Sequence, residues 1–445
     1  MLNQLLDALG IVEEFFWSYI GAPGLIGLGI YFTFKSGFFQ IRQIHKIINI
    51  FKQFARKKYN DPQARGVAPL QAFFASIGGA IGTGNLVSVG VTLQLGGPGA
   101  VFWLWFAGLM GMLVKYGEIF LGVKYRVQNN ENSYTGGPVT YLKHTPYGFF
   151  WSGLVAVLMC LYGTEIYIFR VVSYTLTEGW NLNQYFVIFT LLFLVIGIGQ
   201  GGVRLVGKVC SKIIPLFLVV YIGMGSFVLI KNFTMIPSIL ALIFKHAFTP
   251  HAAIGAFAGN TVGLAITHGV RRACYVGDIG VGYAATMHAE TQESVPARQA
   301  AFGIIDVFLD VFIVCTMSMM IILVSGVWYQ DVDHAFMVST ALGKYFSFVP
   351  MVWPLFIFLL GYTTLIAFFA AGRRAATVIF PKYGARLYEL FAASSLLIFS
   401  FLGTDTQCLS VMSIVGSMLL ACNLYGLFML KDSVVFDLSG ENNKK

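Results

Sequence analysis

The feature of this sequence that most restricts its fold is a series of apolar runs, each about as long as a lipid bilayer is thick. A helix that crosses a bilayer needs about 20 mostly apolar residues. Such runs occur near residues 16–34, 68–96, 99–123, 149–171, 184–200, 208–230, 251–270, 300–326, 349–371, 387–403 and 408–430. Because lipid offers no partner to backbone polar groups, only helices and closed barrels cross it. The runs therefore predict an all-α polytopic membrane protein with about eleven transmembrane helices.

The composition excludes the soluble classes of protein. The chain has 445 residues, of which 57% are hydrophobic and 11% are charged, whereas an average soluble domain is about 25% charged. So few charges do not cover the surface of a water-soluble fold, which excludes soluble enzymes. The six cysteines are scattered, and their spacing is not that of a disulfide framework or a zinc site.

The basic residues are distributed unevenly between the two sides of the membrane. With the N-terminus placed outside, four of the 29 Lys and Arg residues fall in outer segments or at outer helix ends, namely Arg170, Lys231, Lys245 and Lys344. The other 25 fall on the inner side, where membrane proteins collect Lys and Arg. This bias predicts an N-terminus outside and a C-terminus in the cytoplasm, and we expect the protein in the plasma membrane, which is the inner membrane in bacteria. It also accounts for the net charge of +9 without a nucleic-acid partner. The basic stretch 38–58 is typical of an interfacial amphipathic helix.

Two of the apolar runs contain a glycine-rich interruption. Ser76–Asn85 has four glycines within the seven positions 78–84. In both Ser76–Asn85 and Ile254–Gly263, an Ile-Gly pair is followed by small residues and then by a Gly-Asn pair. Non-helical backbone in lipid is tolerated where it lines a cavity. The two runs are expected to cross the membrane in opposite directions, and each is the first of a set of five predicted helices. They predict an inverted five-helix repeat with a site at the membrane midplane.

This repeat divides the chain into five parts. Residues 1–66 form an extra N-terminal helix and the basic amphipathic segment, and residues 67–231 form the first five-helix repeat. Residues 232–250 are an extracellular connection, 251–430 form the second, inverted repeat, and 431–445 form a cytoplasmic tail.

The interruptions also indicate the chemistry of the site. An unwound helix frees N–H groups that suit a carboxylate, and C=O groups that suit an ammonium or Na⁺. A zwitterionic amino acid uses both. The adjacent hydroxyls of Thr363 and Thr364 add oxygen ligands for Na⁺. Threonines in membrane helices, however, commonly bond to their own i−4 carbonyl, and the residues alone favour that structural role.

These interruptions belong to a longer pattern that matches a known family. The matching motifs are Gly82-Thr83-Gly84-Asn85, Gly96-Gly97-Pro98-Gly99 through Trp105, Lys115-Tyr116-Gly117-Glu118, Lys124-Tyr125-Arg126 and Gly136-Gly137-Pro138. Over roughly residues 65–430 the sequence resembles the alanine/glycine:cation symporters, also called sodium:alanine symporters. The resemblance implies an eleven-helix version of the amino acid–polyamine–cation transporter fold, of the LeuT-like type. It also implies uptake of small neutral amino acids with Na⁺ or H⁺.

The resemblance carries over to individual positions. It implies that Na⁺ is held by the carbonyls of Gly78, Ile81 and Leu360 and by the hydroxyls of Thr363 and Thr364, and it makes this sodium interpretation of the threonines the favoured one. The substrate-binding residues are expected to be Gly79, Thr83, Gly84, Asn85, Glu165, Tyr167, Phe257, Ala258, Gly259 and Asn260.

The sequence departs from the family pattern at three places. Tyr167 stands where an amide is expected, with Glu165 nearby, and the stretches Arg271–Gly280 and Ala370–Arg373 also differ. These changes leave the identity of the substrate open. Glu165 is either neutralised by Arg170, or it faces the cavity and binds an ammonium or carries a coupling proton.

The other acids in apolar runs have structural explanations. Glu118 is expected to pair with Lys115 three residues earlier, and Asp306 and Asp310 are expected to pair with an arginine or to hold a helix contact. His268, His288 and His334 form no metal triad, and hydrolase or ATPase motifs are missing from the sequence.

The sequence therefore predicts a secondary transporter rather than an enzyme. We expect Na⁺-coupled symport of a small neutral amino acid by alternating access, in a monomer that uses only the coupling ion and the lipid bilayer besides its substrate. The alternatives are a proton-coupled or altered-specificity amino acid transporter and, from another class, a channel or non-transporting sensor on the same fold.

Overall fold

The computed structural model of the chain describes residues 2–57, 65–129, 132–249 and 262–440. These residues are almost entirely helical. Two short strands within the described ranges, β1 (Val127–Gln128) and β2 (Tyr134–Thr135), pair in an antiparallel ribbon.

The helices follow one another in chain order, each with its first and last residue in parentheses. They are α1 (Leu2–Phe16), α2 (Ala22–Lys35), α3 (Phe39–Arg42), α4 (Ile44–Arg56), α5 (Pro69–Ala80), α6 (Ser88–Gly96), α7 (Gly99–Lys124), α8 (Pro138–Tyr141), α9 (Gly148–Tyr162), α10 (Ile166–Trp180), α11 (Gln184–Gly199), α12 (Gly202–Lys231), α13 (Ile236–Phe248), α14 (Val262–Gly277), α15 (Tyr283–Ala289), α16 (Pro296–Val307), α17 (Thr316–Val324), α18 (Met337–Gly343), α19 (Val349–Ile379), α20 (Gly384–Leu402) and α21 (Asp405–Met429).

Eight helical stretches in the described part of the chain are long and apolar enough to cross a membrane. They are Leu9–Lys35, Gly99–Lys124, Gly148–Trp180, Gly202–Lys231, Pro296–Val324, Val349–Ile379, Gly384–Leu402 and Asp405–Met429. Each coincides with one of the predicted apolar runs. Of the other three runs, 184–200 forms the shorter α11, 68–96 is divided between α5 and α6, and 251–270 is described only from Val262.

The glycine-rich interruption near residue 80 is present as predicted. Helix α5 ends at Ala80, and Gly82 has extended backbone angles of φ −121° and ψ −171°. A single 3₁₀ turn, Thr83–Asn85, follows before α6 begins at Ser88. Glycine is a poor helix former because it loses the most backbone entropy on ordering, so the break falls where the glycines are densest.

A second break, between α9 and α10, corrects the prediction of one continuous helix over 149–171. The backbone leaves the helix at Gly163, and Glu165 adopts a left-handed conformation with φ 46°. Such a conformation is costly for a residue with a Cβ and marks a site that the surrounding structure holds in place. A π-helical segment, Phe308–Cys315, joins α16 to α17 and carries Asp310.

The N-terminal segment is a single long helix, because a π-helical turn at Trp17–Gly21 links α1 to α2. It packs against α7 and α21, and the fully buried Trp17 donates from Nε1 to Ser417 Oγ at 3.1 Å. The basic segment that follows forms α3 and α4. Helix α4 is amphipathic as predicted, with Ile47 and Phe54 buried and its basic residues exposed.

Helix α7 lies at the centre of the fold, against α14 on one side and α16 on another. Its fully buried Lys115 donates to Asp306 Oδ2 on α16 at 2.8 Å and to the Gly277 carbonyl at the end of α14 at 2.7 Å. Asp306 Oδ2 also accepts a hydrogen bond from Ser76 Oγ on α5 at 3.0 Å. One buried ion pair thus ties together four helices beside the α5–α6 break.

This arrangement corrects the pairing expected for Glu118. Lys115 pairs with Asp306 on another helix, and Glu118 instead accepts from Asn423 Nδ2 on α21 at 2.7 Å. The partner of Asp306 is therefore a lysine rather than an arginine.

Candidate functional site

A cavity of about 360 Å³ lies beside the α5–α6 break. One wall is the break itself together with α6, and the facing walls come from α10, α14, α19 and α21. The cavity extends from Gly79 along α6 to Leu95 and His334, both of which are well exposed. It therefore reaches from the middle of the protein toward one end of the helices.

The wall formed by the break is mostly main chain, because side chains would not fit there. A Cβ at Gly79 would lie 2.5 Å from Tyr283 Oη, which itself donates to the Ala75 carbonyl at 2.6 Å. A Cβ at Gly82 would lie 2.7 Å from Thr364 Oγ1. Glycine at these two positions lets the backbone approach the neighbouring helices closely.

The unwinding leaves backbone polar groups without helical partners. The amides of Gly82, Thr83 and Gly84 donate to no acceptor within the described residues. Unpaired N–H groups of this kind, next to a cavity, are suited to bind an anionic group.

The five residues expected to hold Na⁺ lie close to the cavity wall and are buried. Thr364 Oγ1 is 3.0 Å from the Leu360 carbonyl and 3.4 Å from that of Gly78, and Thr363 Oγ1 is 2.9 Å from the Leu360 carbonyl. Ile81 is fully buried in the same break. Thr364 also lines the cavity itself, so this threonine belongs both to the expected sodium ligands and to the residues of the cavity wall.

The donor set fits a sodium ion, because carbonyl and hydroxyl oxygens are the ligands that hard cations prefer. The two hydroxyls also donate to carbonyls three and four residues earlier in α19. The alternative structural role of the threonine pair is therefore also satisfied by this geometry.

The residues expected to contact the substrate do not all lie at the cavity. Gly79, Thr83, Gly84, Glu165 and Tyr167 line it. The side chain of Asn85 is fully buried elsewhere, and its Nδ2 donates to Asp310 Oδ1 at 2.6 Å. This bond is the helix contact that Asp310 was expected to hold. Phe257, Ala258, Gly259 and Asn260 lie outside the described residues.

Of the two interpretations of Glu165, its pairing with Arg170 does not occur. Arg170 bonds instead to Asp405 on α21 and to the carbonyls of Phe399 and Ser400. Glu165 lines the cavity at 5% exposure, and its side chain has no hydrogen bond or ion pair within the described residues. The left-handed break at this residue brings the carboxyl group to the cavity.

The structure adds charged residues that the sequence analysis placed on the inner side of the membrane, after the apolar run 251–270. Arg271 and Arg272 lie inside α14 and line the cavity with His268 and Tyr275. These four polar residues recur at i, i+3, i+4 and i+7, which is one face of a helix. That period was the signal for a cavity-facing helix. It was missed because the apolar run seemed to end before the arginine pair.

The family model described as the sodium:alanine symporter family matches residues 2–444. The chain belongs to this family, which confirms the resemblance. A sodium/alanine symporter of Methanococcus maripaludis, AgcS, is 26% identical over 99% of this chain and 98% of its own. An uncharacterized transporter of Bacillus subtilis, YflA, is 33% identical over 78% of this chain and 74% of its own.

A solved structure supports the fold. The crystal structure of MhsT in complex with L-phenylalanine has 16% sequence identity and a TM-score of 0.58, covering 85% of this chain and 94% of MhsT. At this identity the likeness concerns the fold, which is of the LeuT-like transporter type. Family membership and fold together make this protein a multi-pass membrane symporter of the amino acid type rather than an enzyme.

Proposed function

We propose that this protein couples the inward movement of Na⁺ to the uptake of a small neutral amino acid. The observation that carries the proposal is that the α5–α6 break offers N–H donors and a carbonyl acceptor in one short segment. Gly82, Thr83 and Gly84, whose amides have no acceptor in the described residues, line a cavity, and the Gly78 carbonyl lies 3.4 Å from the hydroxyl of Thr364. An anionic group and a cation are thus accommodated by one short, unwound segment.

Coupling follows from this shared segment. Na⁺ held by Gly78, Ile81, Leu360, Thr363 and Thr364 fixes the backbone that also presents the amides to the substrate carboxylate. Each ligand stabilises the conformation that the other requires, and by thermodynamic linkage the effect is reciprocal. The substrate ammonium is assigned to Glu165, with Tyr167 and the segment 257–260 completing the site.

At the level of the fold, we propose eleven transmembrane helices. Besides the eight long helices, these are α11, the broken pair α5–α6 and the segment 251–277. Residues 67–231 and 251–430 form two inverted five-helix repeats connected by 232–250, with 1–66 before them and a cytoplasmic tail at 431–445. The N-terminus is outside, so that the cavity along α6 opens outward, and transport proceeds by alternating access. The protein acts as a monomer.

The sodium site is tested by Thr364→Val, with Thr377→Val as its matched control. Thr377 lies on the same helix and donates to the Arg374 carbonyl at 2.7 Å, but it lies outside the sodium-binding set. In proteoliposomes, we expect Thr364→Val to raise the Na⁺ concentration for half-maximal alanine uptake roughly 10- to 150-fold. This range corresponds to the loss of one polar contact to a charged group, which is worth about 1.5–3 kcal/mol. Thr377→Val should behave as the wild type. Equal Na⁺ dependence in all three proteins would contradict the proposed site.

Proton coupling is the second candidate, because Glu165 lies at the cavity and has no partner among the residues that the structure describes. In that case a pH gradient alone drives uptake, and Glu165→Gln abolishes the effect of the gradient. Uptake by Glu165→Gln that keeps the wild-type dependence on both gradients would remove this residue from the mechanism. Current that flows without substrate would instead indicate a channel.

A further inference from the structure

Arg272 is an arginine on the cavity wall that forms no ion pair or hydrogen bond with the described part of the chain. It lies in α14 and lines the cavity. Its Nε is buried and has no hydrogen-bond partner, and its guanidinium group forms no ion pair among the described residues. A buried N–H of a charged guanidinium without an acceptor is costly, because the lost hydration is not replaced.

The acids near Arg272 already have other partners or other positions. Asp310, whose negative charge acts on Arg272 from beyond ion-pair distance, accepts a hydrogen bond from Asn85 through Oδ1. Asp306 is paired with Lys115, and Glu13 is paired with the neighbouring Arg271. Glu165 also lines the cavity, and its carboxylate is not within 4.0 Å of the guanidinium. No described carboxylate forms an ion pair with Arg272, so that its guanidinium group can form one with a molecule in the cavity.

The guanidinium group lies directly against the unwound segment. A Cβ at Gly84 would be 3.2 Å from Nη2 and 4.0 Å from Nη1 of Arg272. The amides of Gly82, Thr83 and Gly84, which have no acceptor in the described residues, are the nearest stretch of free donors. Arg272 and these amides thus converge on one part of the cavity, and all of them favour a negative charge.

We propose that Arg272 binds a carboxylate of the transported amino acid. A guanidinium offers two parallel N–H groups that match the two oxygens of a carboxylate, a geometry that a lysine does not reproduce. The proposal rests on the proposed transport function and adds a specificity residue to it. The carboxylate is either the α-carboxylate of any amino acid or the side-chain carboxylate of an acidic one.

Arg271 provides the matched control. It is adjacent in sequence and also lines the cavity, but its Nη2 is 2.6 Å from Glu13 Oε1 on α1. Its guanidinium group also lies 5.9 Å from the Trp17 ring centroid and 5.8 Å from that of Tyr275. Arg271 is therefore already neutralised and held by the N-terminal helix, so that its charge should not attract a substrate.

The test compares wild type, Arg272→Gln, Arg272→Lys and Arg271→Gln in proteoliposomes with an inward Na⁺ gradient. The KM and kcat for labelled alanine are measured, together with competition by alaninamide, which lacks the α-carboxylate, and by aspartate. If the α-carboxylate is bound, Arg272→Gln should raise the KM for alanine roughly 10- to 150-fold, as expected for a hydrogen bond to a charged group. Arg272→Lys should recover only part of this loss, Arg271→Gln should raise the KM clearly less than Arg272→Gln does, and alaninamide should compete poorly for uptake by the wild type.

If the side-chain carboxylate is bound, aspartate should compete with alanine in wild type and lose this ability in Arg272→Gln, while the KM for alanine stays the same. Wild-type KM values and wild-type aspartate competition in Arg272→Gln would overturn the proposal, as would equal effects of Arg271→Gln and Arg272→Gln. Thermal stabilisation by Na⁺ shows whether each variant is folded. If Arg272→Gln is not folded, the KM of Arg272→Lys for alanine is the test instead. A wild-type KM in Arg272→Lys overturns bidentate binding. A wild type that takes up no amino acid with Na⁺ would contradict the proposed function instead.

Discussion

The buried ion pair between Lys115 and Asp306 makes a strong prediction about stability. The two charged atoms are 2.8 Å apart and both side chains are fully buried. With an effective dielectric constant of about 20, two unit charges at this distance attract each other by about 6 kcal/mol. Desolvation offsets part of this attraction. Removal of one partner, however, leaves the other charge buried alone, and such changes cost about 3–5 kcal/mol. We expect this loss for Lys115→Met.

The cost should fall when both partners are removed. In the double variant Lys115→Met with Asp306→Leu no charge is left unpaired, and apolar replacements of buried pairs are often neutral. The remaining loss comes from the Ser76 hydroxyl and the Gly277 carbonyl, at about 1 kcal/mol for each hydrogen bond. Equilibrium unfolding by SDS in mixed micelles, followed by circular dichroism, measures these free energies.

The control is Lys124→Met, on the same helix but at an exposed position. It should change the free energy of unfolding by less than about 0.5 kcal/mol. The reasoning is refuted if Lys115→Met unfolds like Lys124→Met, or if the double variant is less stable than Lys115→Met alone.

Two further predictions concern the α5–α6 break. Gly79→Ala places a methyl group against Tyr283, so it should lower the free energy of unfolding by about 1–3 kcal/mol and abolish uptake. The control is Gly197→Ala, whose methyl group meets no atom within 4 Å. It should leave uptake unchanged and leave the free energy of unfolding unchanged or slightly higher. Equal uptake by these two alanine variants would show that the close approach is not required. Asn85→Ala deprives the buried Asp310 of its donor and should cost about 1–3 kcal/mol in unfolding free energy. The combined change with Asp310→Ala should cost less than the sum of the two single changes, and strict additivity would mean that the contact contributes nothing.

The helices and the first break were predictable because their causes are local. Runs of apolar residues predict membrane helices, and the glycines between Gly78 and Gly84 predict an interruption, since each residue acts within one or two turns of the chain. The resemblance to a transporter family came from the same local motifs and was confirmed.

The features that were missed depend on distant parts of the chain. The left-handed Glu165 has no local signal, because that conformation usually selects Gly or Asn. Lys115 has one acid at helical spacing, Glu118, and only the packing of α7 against α16 brings Asp306 to it instead. The arginines of α14 were placed beyond the end of the apolar run 251–270, because hydropathy alone does not distinguish a helix that ends from a helix that turns its polar face to a cavity.

The main-chain wall of the cavity limits how this protein can change its preference for ligands. No substitution removes a backbone carbonyl, only proline removes a backbone N–H, and a larger residue at Gly79 or Gly82 adds volume. New selectivity must therefore arise on the facing helices, at positions such as Glu165 and Arg272. Random libraries aimed at α10 and α14 should yield transporters with altered selectivity, whereas libraries aimed at residues 78–84 should yield mostly inactive ones.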